Sequence, residues 1–234
     1  MSFLVDELYE KPEEIKLTYF AKSLLISFIL LNQSMIQAET PEQHALDAVQ
    51  KNYEKVLTYE AEFIQKSYIK MMDKTQDVKG TVTIKKPGKM KWSYGAPDTQ
   101  ILISDGSTLW LYVPDEEQAT KVPIESIYSS NTPALFLAGK GKLMQTFNIE
   151  SVNLDKDPIR ITLTPKADDQ ALIRLQLFAD KKNYQITGST VYDKLGNKTE
   201  IRFSNIKTNR EIPEKTFQFQ APANVEVLDY TKPH

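Results

Sequence analysis

Hydrophobic positions recur at every second residue through much of the chain, and the pattern is clearest between residues 84 and 113. Met90, Trp92 and Tyr94 alternate with Lys89, Lys91 and Ser93, so a strand over 89–94 carries a broad apolar face and a charged one. Further strand patterns lie at 100–104 and 108–113. Pro87-Gly88, Gly95-Ala96-Pro97-Asp98 and Asp105-Gly106 punctuate these runs, which predicts an antiparallel meander. Asp105-Gly106 between two alternating runs predicts a type I′ hairpin turn, with positive φ at both central residues.

Upstream, the period changes. Ala45, Leu46, Val49, Tyr53, Val56 and Leu57 recur at helical spacing, with Asp47, Gln50, Lys51, Glu54 and Lys55 between them. Thr40 is placed as N-cap, Pro41 at the first helical position, and Gln43 completes a capping box. Strands are expected from Tyr59 through Gln65 and over 80–86, with a polar loop at 71–79 between them, and again over 117–122. Short helical turns are expected at 123–128 and 134–138, the second stopped by Gly139 and Gly141. Alternation then resumes around Ile159, Ile161 and Leu163, around Ile173, Leu175 and Leu177, over 184–193 and 198–204, at Phe217 and Phe219, and over 225–228. About ten or eleven strands, each with one apolar face, do not suit a parallel sheet covered on both sides. They predict a mainly β fold with some α: a single curved antiparallel sheet, an unclosed half-barrel, lidded by the N-terminal helix and the short mid-chain helices.

The first 38 residues are of another kind. Residues 20–31, FAKSLLISFILL, form an apolar run too short for the ~20 residues of a membrane-spanning helix. Lys16 and Lys22 lie before and within it, and Ala38 supplies a small residue for cleavage, although Ile36 is bulkier than the usual residue at that site. Residues 1–38 are therefore expected to be an N-terminal extension and signal peptide, and residues 39–234 the mature domain. Asp6, Glu7, Glu10, Glu13 and Glu14 do not suit a signal's first segment, which points to a start placed upstream of the true one. The whole chain has 29 basic and 31 acidic residues; losing three and five of them leaves 26 of each, a neutral exported domain expected in the periplasm as a monomer.

Composition narrows the chemistry. Cysteine is absent, which removes disulfides, cysteine-rich zinc sites and thiol nucleophiles. The only histidines are His44 and His234, too few for a His-based triad or a multi-histidine metal site. Asp105-Gly106-Ser107 reads as a hairpin turn before it reads as a nucleophile, and Asp155, Asp157, Asp168 and Asp169 are turn acids without a calcium-loop spacing. No catalytic residue, metal or cofactor is expected, and with no basic stripe no nucleic-acid partner.

Several segments carry a resemblance: 63–66 FIQK, Lys85-Lys86-Pro87 with Trp92, 101–112 ILISDGSTLWLY, 117–120 EQAT, 131–133 NTP, 163–166 LTPK and 217–222. In this order they resemble the LolA family, periplasmic carriers of lipoproteins. The resemblance implies an open barrel with an apolar cavity for lipoprotein acyl chains, an inner-membrane lipoprotein-releasing ABC transporter as donor, and an outer-membrane lipoprotein acceptor. Met90, Trp92, Tyr94, Ile101, Ile103, Leu135 and Leu137 are the residues expected to line that cavity. In the family an arginine before the proline holds the lid closed through backbone hydrogen bonds, and a phenylalanine matching Met90 serves in transfer. Here Lys86 takes the arginine's place as the expected lid latch, with the charge but without the planar fork. The alternative is a periplasmic lipid- or lipoprotein-binding sensor of envelope stress on the same fold.

Overall fold

Thr40 opens the first element, in extended backbone with its Oγ1 accepting a 3.2 Å hydrogen bond from the Gln43 N–H. Pro41 follows at the first turn, and helix α1 runs over Pro41–Lys55. Only half of the expected capping box forms. The Gln43 side chain turns forward, its NH2 donating to Asp47 Oδ1 at 3.0 Å, instead of turning back to accept from the Thr40 N–H. Ala45, Leu46, Val49 and Tyr53 make the buried stripe. The computed structural model describes residues 40–124, 143–167 and 172–231. The expected helical turn at 134–138, with Leu135 and Leu137, and all but the first residues of the one at 123–128 lie outside them.

The strands are β1 (Thr58–Ile69), β2 (Lys74–Lys85), β3 (Lys89–Tyr94), β4 (Gln100–Asp105), β5 (Thr108–Val113), β6 (Gln118–Pro123), β7 (Phe147–Asn153), β8 (Ile159–Pro165), β9 (Leu172–Ala179), β10 (Ile186–Asp193), β11 (Lys198–Thr208) and β12 (Glu226–Asp229). A short helix α2 (Leu143–Thr146) leads into β7. Among the described residues these twelve strands form one sheet in the order β12-β6-β5-β4-β3-β2-β1-β11-β10-β9-β8-β7, so two meanders meet where β1 pairs with β11. With β12 and β7 at opposite edges the sheet does not close, as the alternation predicts. One pair departs from the antiparallel pattern: β12 runs parallel to β6.

Three local readings are corrected. Residues 74–79 are not loop but the outer half of β2, paired with β1 from Ile69↔Lys74 onward. Phe217 and Phe219 are not in a strand, because Glu214–Phe217 is a 3-10 turn. The Asp105-Gly106 hairpin exists, but Gly106 alone takes positive φ, +100°. Its loop is set by side chains instead: Asp105 Oδ1 accepts from the N–H groups of Ser107 and Thr108, each at 2.8 Å, and Ser104 Oγ accepts from the Gly106 N–H.

Alternation gives the sheet two faces with different cover. On the inner face Ala61, Phe63, Val82, Ile84, Met90, Trp92, Leu163, Leu177, Ile201 and Phe203 share one core with the α1 stripe. On the other face the chain after β11 lies across β3 to β5, burying Phe217 and setting Phe219 5.2 Å from the Trp110 ring and 5.3 Å from Tyr112. Glu214 fastens this segment: it accepts from Lys85 Nζ at 2.6 Å and from Lys89 Nζ, and these two bonds bring its carboxyl down to about 2.

Candidate functional site

The inner face beside α1 is built around β3. Met90 and Trp92 are fully buried there, and Tyr94 is half-buried. Phe63 meets Trp92 edge-on at 5.2 Å and Tyr94 at 5.1 Å; Phe203 lies 6.2 Å from Trp92 and 5.6 Å from Tyr59. Gly80 makes this cluster possible. A Cβ at that position would lie 2.6 Å from the Phe63 ring and 2.2 Å from the Ser93 carbonyl oxygen. Burial pushes the Tyr94 hydroxyl up to about 12 and raises Tyr59 as well, so both stay neutral apolar surface with a polar tip. The Trp92 indole N–H is buried with no acceptor in reach. The cluster is wide and aromatic, with the Trp92 N–H as its unmet polar group.

At the end of α1 the face opens. Asn52, Tyr53 and Val56 from the helix side meet Tyr59, Ile84, Lys86, Gln185 and Ile186 around a narrow cleft with about 20 Å³ of free space. Lys86 spans it. Its Nζ donates to the Tyr53 carbonyl oxygen in the last turn of α1 and lies 3.4 Å from the centroid of the Tyr53 ring. A cation is favourable at a helix C-terminus and over an aromatic face. Burial nevertheless brings the ammonium down to about 8, against an opposing pull from Glu54. Lys86, in the turn that follows β2, thus holds a helix backbone group.

The expected cavity residues are not all brought together. Cross-strand register pairs Trp92 with Leu102 and Met90 with Ser104, so these four share the inner face. Ile101 pairs with Ser93 and Ile103 with Lys91, which sets both isoleucines on the opposite face, in register with Tyr112 and Trp110. The reason is that 101–103 is apolar at three consecutive positions, so alternation within β4 could not say which residues point inward; the register with β3 decides it. Sequence reasoning missed Phe63, Phe203 and Tyr53 as partners of this face. The signal available was the Phe63 position in a strand next to β3, and nothing in the sequence announced that β11 would pair with β1. Among the described residues no cluster of three or more His, Cys, Asp or Glu side chains could hold a metal ion.

Comparison with known proteins adds to this geometry. The family profile "Outer membrane lipoprotein carrier protein LolA" matches residues 54–220. The chain is 33% identical over 207 residues to the outer-membrane lipoprotein carrier protein of Hahella chejuensis, covering 87% of this chain and 96% of that one. It is 32% identical over 210 residues to the carrier of the same name from Chromohalobacter salexigens, covering 89% and 97%. Among solved structures, an uncharacterised conserved protein from Thermus thermophilus superposes with a TM-score of 0.51 at 13% identity, over 81% of this chain and 99% of the other, which bears on the fold alone.

Proposed function

The chain belongs to the LolA family of outer-membrane lipoprotein carrier proteins, and from that premise we propose that it binds the acyl chains of lipoproteins against its inner aromatic face and carries them through the periplasm from the inner to the outer membrane. The observation that carries this reading is the family match across most of the mature domain, with both carrier relatives covered nearly end to end. Its donor is an inner-membrane lipoprotein-releasing ABC transporter and its recipient an outer-membrane acceptor. Met90, Trp92 and Tyr94 form the part of the acyl surface that β3 contributes, and burying each methylene there is worth about 0.8 kcal/mol.

Among the described residues the cleft at the end of α1 has about 20 Å³ of free space; in this reading loading moves the helix end off the sheet, and the Lys86 contact to Tyr53 is the bond that this motion breaks. Lys86 is the latch in this account. The domain is exported with cleavage after Ala38. One purification tests both statements: protein isolated from the periplasm should start at Glu39 and carry substoichiometric lipoprotein detectable by mass spectrometry. A chain retaining residues 20–31 sinks the export reading, and the absence of any acylated cargo after cross-linking sinks the carrier reading.

A further inference from the structure

The face turned away from α1 carries a second constellation. Strand register aligns Arg202 of β11, Gly188 of β10, Phe178 of β9, Arg160 of β8 and Asn153 of β7 in one row across the sheet. Their chain neighbours Phe203, Ala179, Ile159 and Ile161 belong to the inner core, so the row faces outward. Arg202 lies flat across Gly188: a Cβ there would meet the Arg202 Nη1 at 3.0 Å, its Cδ at 3.1 Å and the Ile201 carbonyl oxygen at 2.5 Å. Glycine therefore lets the guanidinium reach Phe178, where it sits 3.5 Å from the ring centroid. Arg160 approaches the same ring at 5.9 Å. With Lys156 these groups bound an open pocket of about 390 Å³.

The charges in this pocket are not balanced. Glu200 takes up Arg202 Nη2 at 3.0 Å but also receives Lys198 at 3.3 Å, and Asp157 accepts the Lys181 N–H through Oδ1. Among the described residues no carboxylate lies within ion-pair distance of Arg160. Arg202 Nη1 is buried without an acceptor. Covering one outward-turned phenylalanine, buried as Phe178 is, takes one guanidinium. Two on the same ring, with a lysine beside them and an N–H unused, is an arrangement that a bound anion relieves, and planar forks suit a tetrahedral oxyanion with several acceptor oxygens. We propose that this pocket binds a phosphoryl group, of a lipid headgroup or of a free phosphate ester.

Two probes separate those sources: glycerol 3-phosphate in solution by calorimetry, and phosphatidylglycerol-containing against pure phosphatidylcholine vesicles by co-sedimentation. Arg160→Gln, an exposed strand position, should keep the melting temperature and weaken binding of whichever probe the pocket accepts about tenfold, the scale of one charge-assisted contact. Arg202→Lys, which keeps the charge and loses the fork, should weaken it too, while Lys66→Gln, a charge removed outside the row, should not. Binding of either probe with this dependence supports the pocket and identifies the source. The proposal is overturned if neither probe binds, if Lys66→Gln weakens binding as much as Arg160→Gln, or if an oligoglutamate peptide displaces the phosphate probe at equal concentration, which would make an acidic protein segment the partner.

Discussion

At the scale of single residues, Lys86 and Gly80 do opposite things to the same face. Lys86 joins β2 to the last turn of α1 through one carbonyl and one ring. Its folded pKa of about 8 lies below the ordinary 10.5, so between those values the folded chain binds fewer protons than the unfolded one. This site's contribution to stability is therefore lowest below pH 8 and rises as pH climbs through the window. The contact with Tyr53 follows the other sign, since a neutral amine gives up its cation–π attraction. Release of an acylated peptide should accordingly speed up as pH rises past about 8 in the wild type, whereas Lys86→Arg, charged throughout, should show a flat profile and slower release, by about threefold to tenfold. Lys86→Leu, which lacks the contact at every pH, should release the ligand at the fast rate throughout. Equal release rates for Lys86→Leu and wild type would make Lys86 an ordinary strand-end lysine. Gly80 is a matter of space: Gly80→Ala drives a methyl into the Phe63 ring with the Ser93 carbonyl behind it, and should lower stability by about 1–3 kcal/mol in urea titration. An unchanged midpoint would mean that the Phe63–Tyr94 packing is softer than its geometry.

At the scale of elements, the two tryptophans report the two faces of one meander. Trp92 sits in the inner aromatic cluster and Trp110 under Phe219 on the other side. In a Trp110→Phe variant, acylated peptide should shift the emission of Trp92, while Trp92→Phe should leave an emission that the ligand does not move. A shift in the second variant and none in the first would place the ligand on the wrong face. How much of this could be read beforehand depended on whether an element has one dry face. The β3 to β5 meander was legible because Met90, Trp92 and Tyr94 alternate with polar residues between strong turn signals. The outer half of β2 was not: Lys74, Thr75, Gln76 and Asp77 are wet on both faces, and the ribbon there is held by backbone pairing with β1, which leaves no trace in hydropathy. β7 escaped because its alternation breaks at Ser151, where the register with β8 shifts. β4 failed the opposite way, apolar on both faces because the segment around Phe217 and Phe219 covers its outer side.

At the scale of the whole molecule, one sheet unites two meanders through a pairing of β1 with β11 that lies about 140 residues apart in sequence, a contact that only tertiary closure supplies. That pairing brings Phe203 to Trp92 and so completes the aromatic face, which explains why the fold class was legible from alternation and the composition of the face was not. On the far side from α1 it also sets Arg160 and Arg202 over the same Phe178 ring. The account rests on the inner face taking up acyl chains during transfer, and that is best measured as release from a membrane. Inner-membrane vesicles bearing a labelled lipoprotein and its releasing transporter are supplied with ATP and residues 39–234 of this chain, and the soluble fraction is resolved by gel filtration. The account predicts that acylated lipoprotein leaves the vesicles in a complex holding one copy of each chain, and that a non-acylated version of the same lipoprotein forms no such complex. Acylated lipoprotein that stays with the vesicles, or a non-acylated one that co-elutes equally well, would contradict it.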